Sequence, residues 1–205
     1  MTKEIRAFNF EVRAEQNEEH GHFLTGQPIV YNERTNLEWY DEIIDDGALA
    51  ETDLRDVRFL VNHNTDMIPL ARSRNNNANS TMQMQVVPGV GMSIRVDLDT
   101  ENNAEAKSLY SAVSRGDITG MSFMFTVDSD SWDDLESDHP TRHIRNISKV
   151  YEVSAVTFPA YEATSITARG LSDALESAKA SLESAKAEQR AIERKKQLIR
   201  ILSEV

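Results

Sequence analysis

Three side chains carry the parts of one nucleophilic chemistry: the hydroxyl of Ser122, the imidazole of His63 and the carboxylate of Glu152. In a serine-hydrolase triad the imidazole takes the hydroxyl's proton and the carboxylate orients the imidazole. Ser122 stands in Gly120-Met121-Ser122-Phe123-Met124-Phe125. The pattern predicts a short strand with Phe123 and Phe125 on one face and Ser122 and Met124 on the other. His63 closes the run VRFLVNHN, where Val57, Phe59, Val61 and His63 share a face and the strand leaves the core. Glu152 lies in VYEVSAVTFPAY, on a face with Val150, Ser154 and Val156. Buried in so apolar a run, a carboxylate needs a partner. From spacing alone the serine reads better as an inert strand residue and the histidine as a strand-end residue bonded to backbone, and the glutamate also fits an edge strand in water.

The elements around these residues are mostly strands. Ile5 to Ala14 alternates and predicts one strand, with room for a bulge. FLTGQPIVYN predicts a second, bent or at an edge because of Gly26 and Pro28. LEWYDEIIDDGALAET predicts a turn or short helix ending near Gly47, then another short helix from Ala48. STMQMQVVPGVGMSIRVDLD predicts two strands around Pro88-Gly89, with Met82, Met84 and Val86 as a core stripe. The clearest helix of the body follows, capped by Asn103, burying Ala106, Leu109, Tyr110 and Val113, and ended by Gly116. VDSDSWDDLESDHPTRHIRNI predicts an acidic hairpin loop.

From Leu171 the pattern changes. Asp173 and Glu176 resemble a capping box. Leu171, Leu175, Ala178, Leu182, Ala185 and Ile192 form a heptad stripe interrupted by Gln189. The expected organisation is a body over 1–170 and a charged amphipathic or coiled-coil helix over 171–205. That helix projects from the body to bind a scaffold or a second copy. The expected fold class is α+β: a mostly antiparallel, barrel-like sheet with few surrounding helices and a helical C-terminal tail.

The charge balance narrows the function. The chain has 205 residues and a net charge of −12, with 40% hydrophobic and 27% charged residues. The tail from Leu171 holds seven Lys/Arg against six Asp/Glu, so the body carries −13. So acidic a body argues against a phosphate-binding surface and hence against nucleic acid. With no cysteine in the sequence, a cysteine nucleophile, a thiolate metal site and disulfides are excluded. The N-terminus has no apolar core run of a secretory signal, and no stretch approaches the roughly 20 apolar residues of a membrane span. A cytoplasmic protein without membrane contact is expected. His20 and His22 share an HxH spacing, and Asp138, His139 and His143 cluster in one loop. Both sets read better as solvated loops than as ligands, because the spacing is loose and no third ligand accompanies the HxH pair. No metal and no cofactor are expected.

Taken in order, GQPIVYN, EIIDDGAL, VRFLVNHN with PLARSRN, RGDITGMSFMF and YEVSAVTFPAYEAT resemble the prohead maturation proteases of tailed bacteriophages. The resemblance runs from about Ile5 to Arg169. It implies a serine endopeptidase, distantly related in fold to herpesvirus assembly proteases, that works inside the immature prohead in the host cytoplasm. Its implied partners are the major capsid protein and that protein's scaffold segment, and self-cleavage near Arg169-Gly170 is in keeping with it. The family's histidine, nucleophile and acidic position match His63, Ser122 and Glu152. Ser154, or a histidine of the 139–143 loop, competes with Glu152 for the third role. Backbone N–H groups, Arg142 or Arg145 are candidates for the oxyanion hole. The tail implies a homo-oligomer or scaffold contact. The runner-up reading is a non-catalytic capsid-assembly scaffold protein. An esterase using the same residues and a metalloenzyme come after it.

Overall fold

Strand-forming alternation dominates the chain, and the strands resolve into two sheets. A computed structural model describes residues 3–8, 12–19, 21–157 and 165–203. The larger sheet runs in the order β1 (Lys3–Phe8), β10 (Gly120–Asp133), β11 (Thr141–Val156), β5 (Tyr40–Ile44) and β4 (Arg34–Leu37). Beside β11 it also carries β6 (Asp56–Val61), which pairs in turn with β7 (Ala71–Arg74). The smaller sheet runs β2 (Val12–Asn17), β3 (Gly21–Val30), β9 (Gly91–Leu98) and β8 (Met82–Val87). The helices are α1 (Ala104–Ser114) and α2 (Ser165–Ser203). This is the α+β, mostly antiparallel architecture expected, although neither sheet closes into a barrel.

The core lies between the sheets. Phe123, Phe125, Val153, Val57 and Phe59 of the larger sheet meet Leu24, Met82, Met92, Ile94 and Val96 of the smaller one. Helix α1 adds Ala106, Leu109 and Val113. Its Asn103 side chain accepts from the N–H groups of Glu105 and Ala106, the predicted cap. The Met82 and Met84 stripe is buried, also as expected. At the β8–β9 turn Gly91 has φ +131°, and a Cβ there would stand 2.1 Å from the carbonyl oxygen of Ile29. Only glycine fits so close a backbone approach.

Several expectations fail, each for a physical reason. The predicted strand Ile5–Ala14 is two strands in different sheets, because β1 pairs with β10 and β2 with β3. In β1 it is Glu4 and Arg6 that point inward, toward charged partners. Strand β3 is not at an edge but lies between β2 and β9. Its bend is a bulge between Gly26 and Ile29, which accommodates Pro28. The predicted turn or short helix in LEWYDEII is the β4–β5 hairpin, in which Tyr40, Glu42 and Ile44 alternate inward. Residues from Ala48 form hydrogen-bonded turns rather than a helix. The acidic loop shrinks to residues 134–140, since β10 and β11 remain paired as far as Asp133 and Thr141. Helix α2 begins at Ser165, so Asp173 lies inside it rather than at its start. Phe10, His20 and residues 158–164 of the quoted motifs lie outside the described residues.

The first half of α2 packs on the body. Ala178 and Leu182 join Leu37, Tyr40 and Trp132 in a second cluster, with Leu175 and Ala185 against it. Trp132 Nε1 donates to Ser181 Oγ at 3.0 Å, and Ser181 Oγ donates to Asp130 at 2.7 Å. Beyond this contact Ile192, Leu198, Ile199, Ile201 and Leu202 are exposed.

Candidate active site

Three neighbouring strands bring the candidate residues together. Ser122 of β10 pairs with Ser154 of β11, which pairs with Leu60 of β6. Strand alternation puts Phe123 and Val153 into the core and leaves Ser122, Ser154 and Glu152 on the opposite face. After β6, Asn62 and His63 both adopt left-handed backbone, with φ 51° and 57°. Asparagine and histidine tolerate this region better than most residues. The Asn62 side chain holds the turn, donating to Thr157 Oγ1 at 3.1 Å and accepting from the Thr157 N–H at 2.9 Å. The turn folds His63 back over β11.

The result is a continuous line of short hydrogen bonds. His63 Nδ1 lies 2.5 Å from Glu152 Oε1, and His63 Nε2 lies 2.5 Å from Ser122 Oγ. Ser154 supports both ends of the acid–imidazole pair: its hydroxyl donates to Glu152 Oε2 at 2.5 Å and accepts from the His63 N–H at 3.1 Å. All four residues are buried. Glu152 therefore has the partners its apolar surroundings demand. Ser122 Oγ has one further neighbour, the carbonyl oxygen of Arg6 on β1, at 2.8 Å. A groove of about 640 Å³, lined by Val61, Asn62, Met67, Leu109 and Ile118, opens beside the histidine turn.

The other candidates are engaged elsewhere. Arg142 is buried among carboxylates: Nε donates to Asp130 at 2.6 Å, Nη1 to Glu4 at 2.9 Å and to Glu42 at 3.2 Å. Arg145 is paired with Asp45 and Ser131. Neither arginine is placed as an oxyanion donor. Arg6 completes the buried cluster, bound to Glu42, to Glu4 at 2.7 Å and to the Tyr40 hydroxyl at 3.4 Å. Burial would raise the Glu4 carboxyl, but Arg6 and Arg142 outweigh it and hold Glu4 below the usual range. Burial, with Glu42 adding, pushes the Tyr40 hydroxyl up to about 12. His139 contacts Asp41 and Asn36, and His143 contacts Asp45 and Asp133, so neither is placed to take the third role in place of Glu152. His22 contacts Thr100. Among the described residues no three acids or histidines form a group that could hold a metal.

Sequence reasoning placed Ser154 as a rival for the acid's role, whereas it bonds both Glu152 and His63. The signal was its two-residue spacing from Glu152 on one face. Asn62 was missed, and its only trace was an asparagine at a strand end.

No curated protein and no solved structure matches the chain. The family described as caudovirus prohead serine protease matches it over residues 8–177. That span runs from the end of β1 into the packed half of α2 and takes in both sheets and every residue of the hydrogen-bonded line. The chain, a serine endopeptidase, belongs to the caudovirus prohead serine proteases.

Proposed function

We propose that Ser122 is the nucleophile, His63 the general base and acid, and Glu152 the orienting carboxylate of this prohead protease. The observation that carries the reading is the line Glu152–His63–Ser122, with both ring nitrogens 2.5 Å from their partners. In this mechanism His63 Nε2 takes the Ser122 proton as Oγ attacks the scissile carbonyl carbon. The collapsing intermediate expels the amine, which receives that proton from Nε2, and an acyl-enzyme remains. Water then attacks with the same base, releasing the acid and restoring Ser122. Glu152 keeps the proton on Nδ1 and stabilises the imidazolium, while Ser154 fixes the carboxylate.

Prohead proteases associate with phage capsid proteins and act in the procapsid within the host cell. The substrate proposed for this chain is the scaffold segment of the major capsid protein, with trimming of its own chain as a secondary reaction. No helix of the described residues is long and apolar enough to cross a membrane. The proposed division of labour is a protease domain over 1–170 and a scaffold-binding or self-associating helix over 171–205. The exposed stripe of Ile192, Leu198, Ile199, Ile201 and Leu202 supports the second role.

The test is co-expression with the capsid protein of the same phage, comparing wild type with Ser122→Ala and reading the capsid protein's N-terminus by mass spectrometry. Shortening with wild type alone is the expected result. Shortening in both would remove Ser122 from the mechanism. An intact N-terminus in both, with particles formed, would favour a non-catalytic scaffold role.

A further inference from the structure

We propose that the edge of β10 now covered by β1 is the peptide-binding site, and that β1 occupies it as an internal stand-in for the substrate strand. The inference rests on Ser122 being the nucleophile. Three observations lead to it.

The first is position. Strand β1 lies at the edge of the larger sheet and pairs with β10 alone, Ala7 opposite Ser122 and Arg6 opposite Phe123. An extended peptide recognised by backbone hydrogen bonds adds to such an edge as one more antiparallel strand. With β1 in place, that edge is taken and Ser122 is fully buried.

The second is the hydroxyl proton. Ser122 Oγ has one proton and two acceptors in reach: the Arg6 carbonyl at 2.8 Å and His63 Nε2 at 2.5 Å. A proton given to Arg6 is not given to the base. Withdrawal of β1 leaves His63 as the acceptor and brings the hydroxyl into its reactive arrangement.

The third is how β1 is held. Beyond its backbone pairing with β10, its described side-chain anchors are polar: Arg6 on Glu42, and Glu4 on Arg142 and on Ser177 of α2, at 2.9 and 3.0 Å. Buried ion pairs give little net stability, because desolvation cancels most of their attraction. Withdrawal of β1 returns Glu4 and Arg6 to water, so their rehydration offsets part of the cost of breaking these pairs and the backbone ladder to β10. The Ser177 contact also ties its release to α2, the element proposed to meet the scaffold.

The closed enzyme is therefore latent. A scaffold segment in extended conformation replaces β1, pairs with β10 and lays its scissile carbonyl against Ser122.

The test uses the full chain and a fluorophosphonate, with labelled Ser122 located by peptide mass spectrometry. Since the sequence has no cysteine, Ile5→Cys with Met124→Cys, which face each other across β1 and β10, creates a single lock. Labelling at least ten-fold slower in the oxidised than in the reduced form is expected. Glu42→Gln, which loosens the anchor without touching the triad, should label at least ten-fold faster than wild type. Equal labelling of the oxidised, reduced and wild-type proteins would overturn the stand-in role and leave the triad intact. No labelling of Ser122 in any form would overturn the triad, and this inference with it. If Glu42→Gln does not fold, the locked pair alone decides.

Discussion

Glu152 spends both carboxylate oxygens at once, one on the imidazole and one on Ser154. Changing its charge without its shape isolates the electrostatic role. Glu152→Gln should lower kcat on a capsid-segment peptide by about 10³–10⁴ with little change in KM, the size seen when a triad loses its acid. Ser154→Ala leaves the His63 N–H and one Glu152 oxygen without their partner. It should reduce kcat by roughly 10–100-fold and cost about 1–3 kcal/mol in urea unfolding. An unchanged kcat in Ser154→Ala would make that serine a packing residue only. The residue types of the site were readable because a glutamate in YEVSAV is conspicuous. Their meeting was not readable. It depends on two left-handed residues at Asn62 and His63 and on the parallel pairing of β6 with β11, which no local pattern encodes.

At the scale of elements, β1, the β4–β5 hairpin and β11 are joined by charge: Glu4, Arg6, Glu42 and Arg142, with Asp130 and Tyr40 beside them. Removing one member strands the others in the interior. Glu42→Ala or Arg142→Ala should cost about 3–5 kcal/mol in denaturant unfolding. Glu4 gives the cluster a pH dependence. Its folded pKa is depressed below 4.5, so its contribution is whole above that value and is lost as pH falls through the folded pKa. Unfolding free energy measured from pH 6 downward should therefore drop below about pH 4.5, and Glu4→Gln should flatten that limb. A wild-type curve unchanged by the substitution would refute the link. These same charges hid the fold from sequence reading. The alternation from Ile5 to Ala14 read as one strand, and acids among aromatics in LEWYDEII read as a turn or short helix, because alternation reports polarity and not partners. Strands built on plain apolar alternation, such as β8 and β9, were legible in advance.

Across the whole molecule α2 has two characters. Its first half is part of the body, through Ala178 and Leu182 on Tyr40 and Trp132, while its last turns are apolar and exposed. Cutting at residue 171 should uncover the Trp132 cluster and lower the melting temperature by roughly 5–10 °C, at about 2–4 °C per kcal/mol for a chain of this size. Cutting after residue 189 should leave melting unchanged and abolish incorporation into particles. Incorporation of the shorter chain would reject the tail's proposed role. The heptad stripe was legible in the sequence. Which part of it the body would claim was not, because the receiving surface comes from Leu37, Tyr40 and Trp132, far away in the chain. The topology also has a consequence in time. The Ser122 hydroxyl is bonded to a strand made 116 residues earlier, and Glu152 follows Ser122 by 30 positions. A ribosome therefore makes the serine before it makes the acid proposed to orient its base. By then β1 has long been waiting to cover it. On the proposed triad, competence arrives only with the last strand, and it arrives already closed, so released chains truncated before Glu152 should take no fluorophosphonate at Ser122.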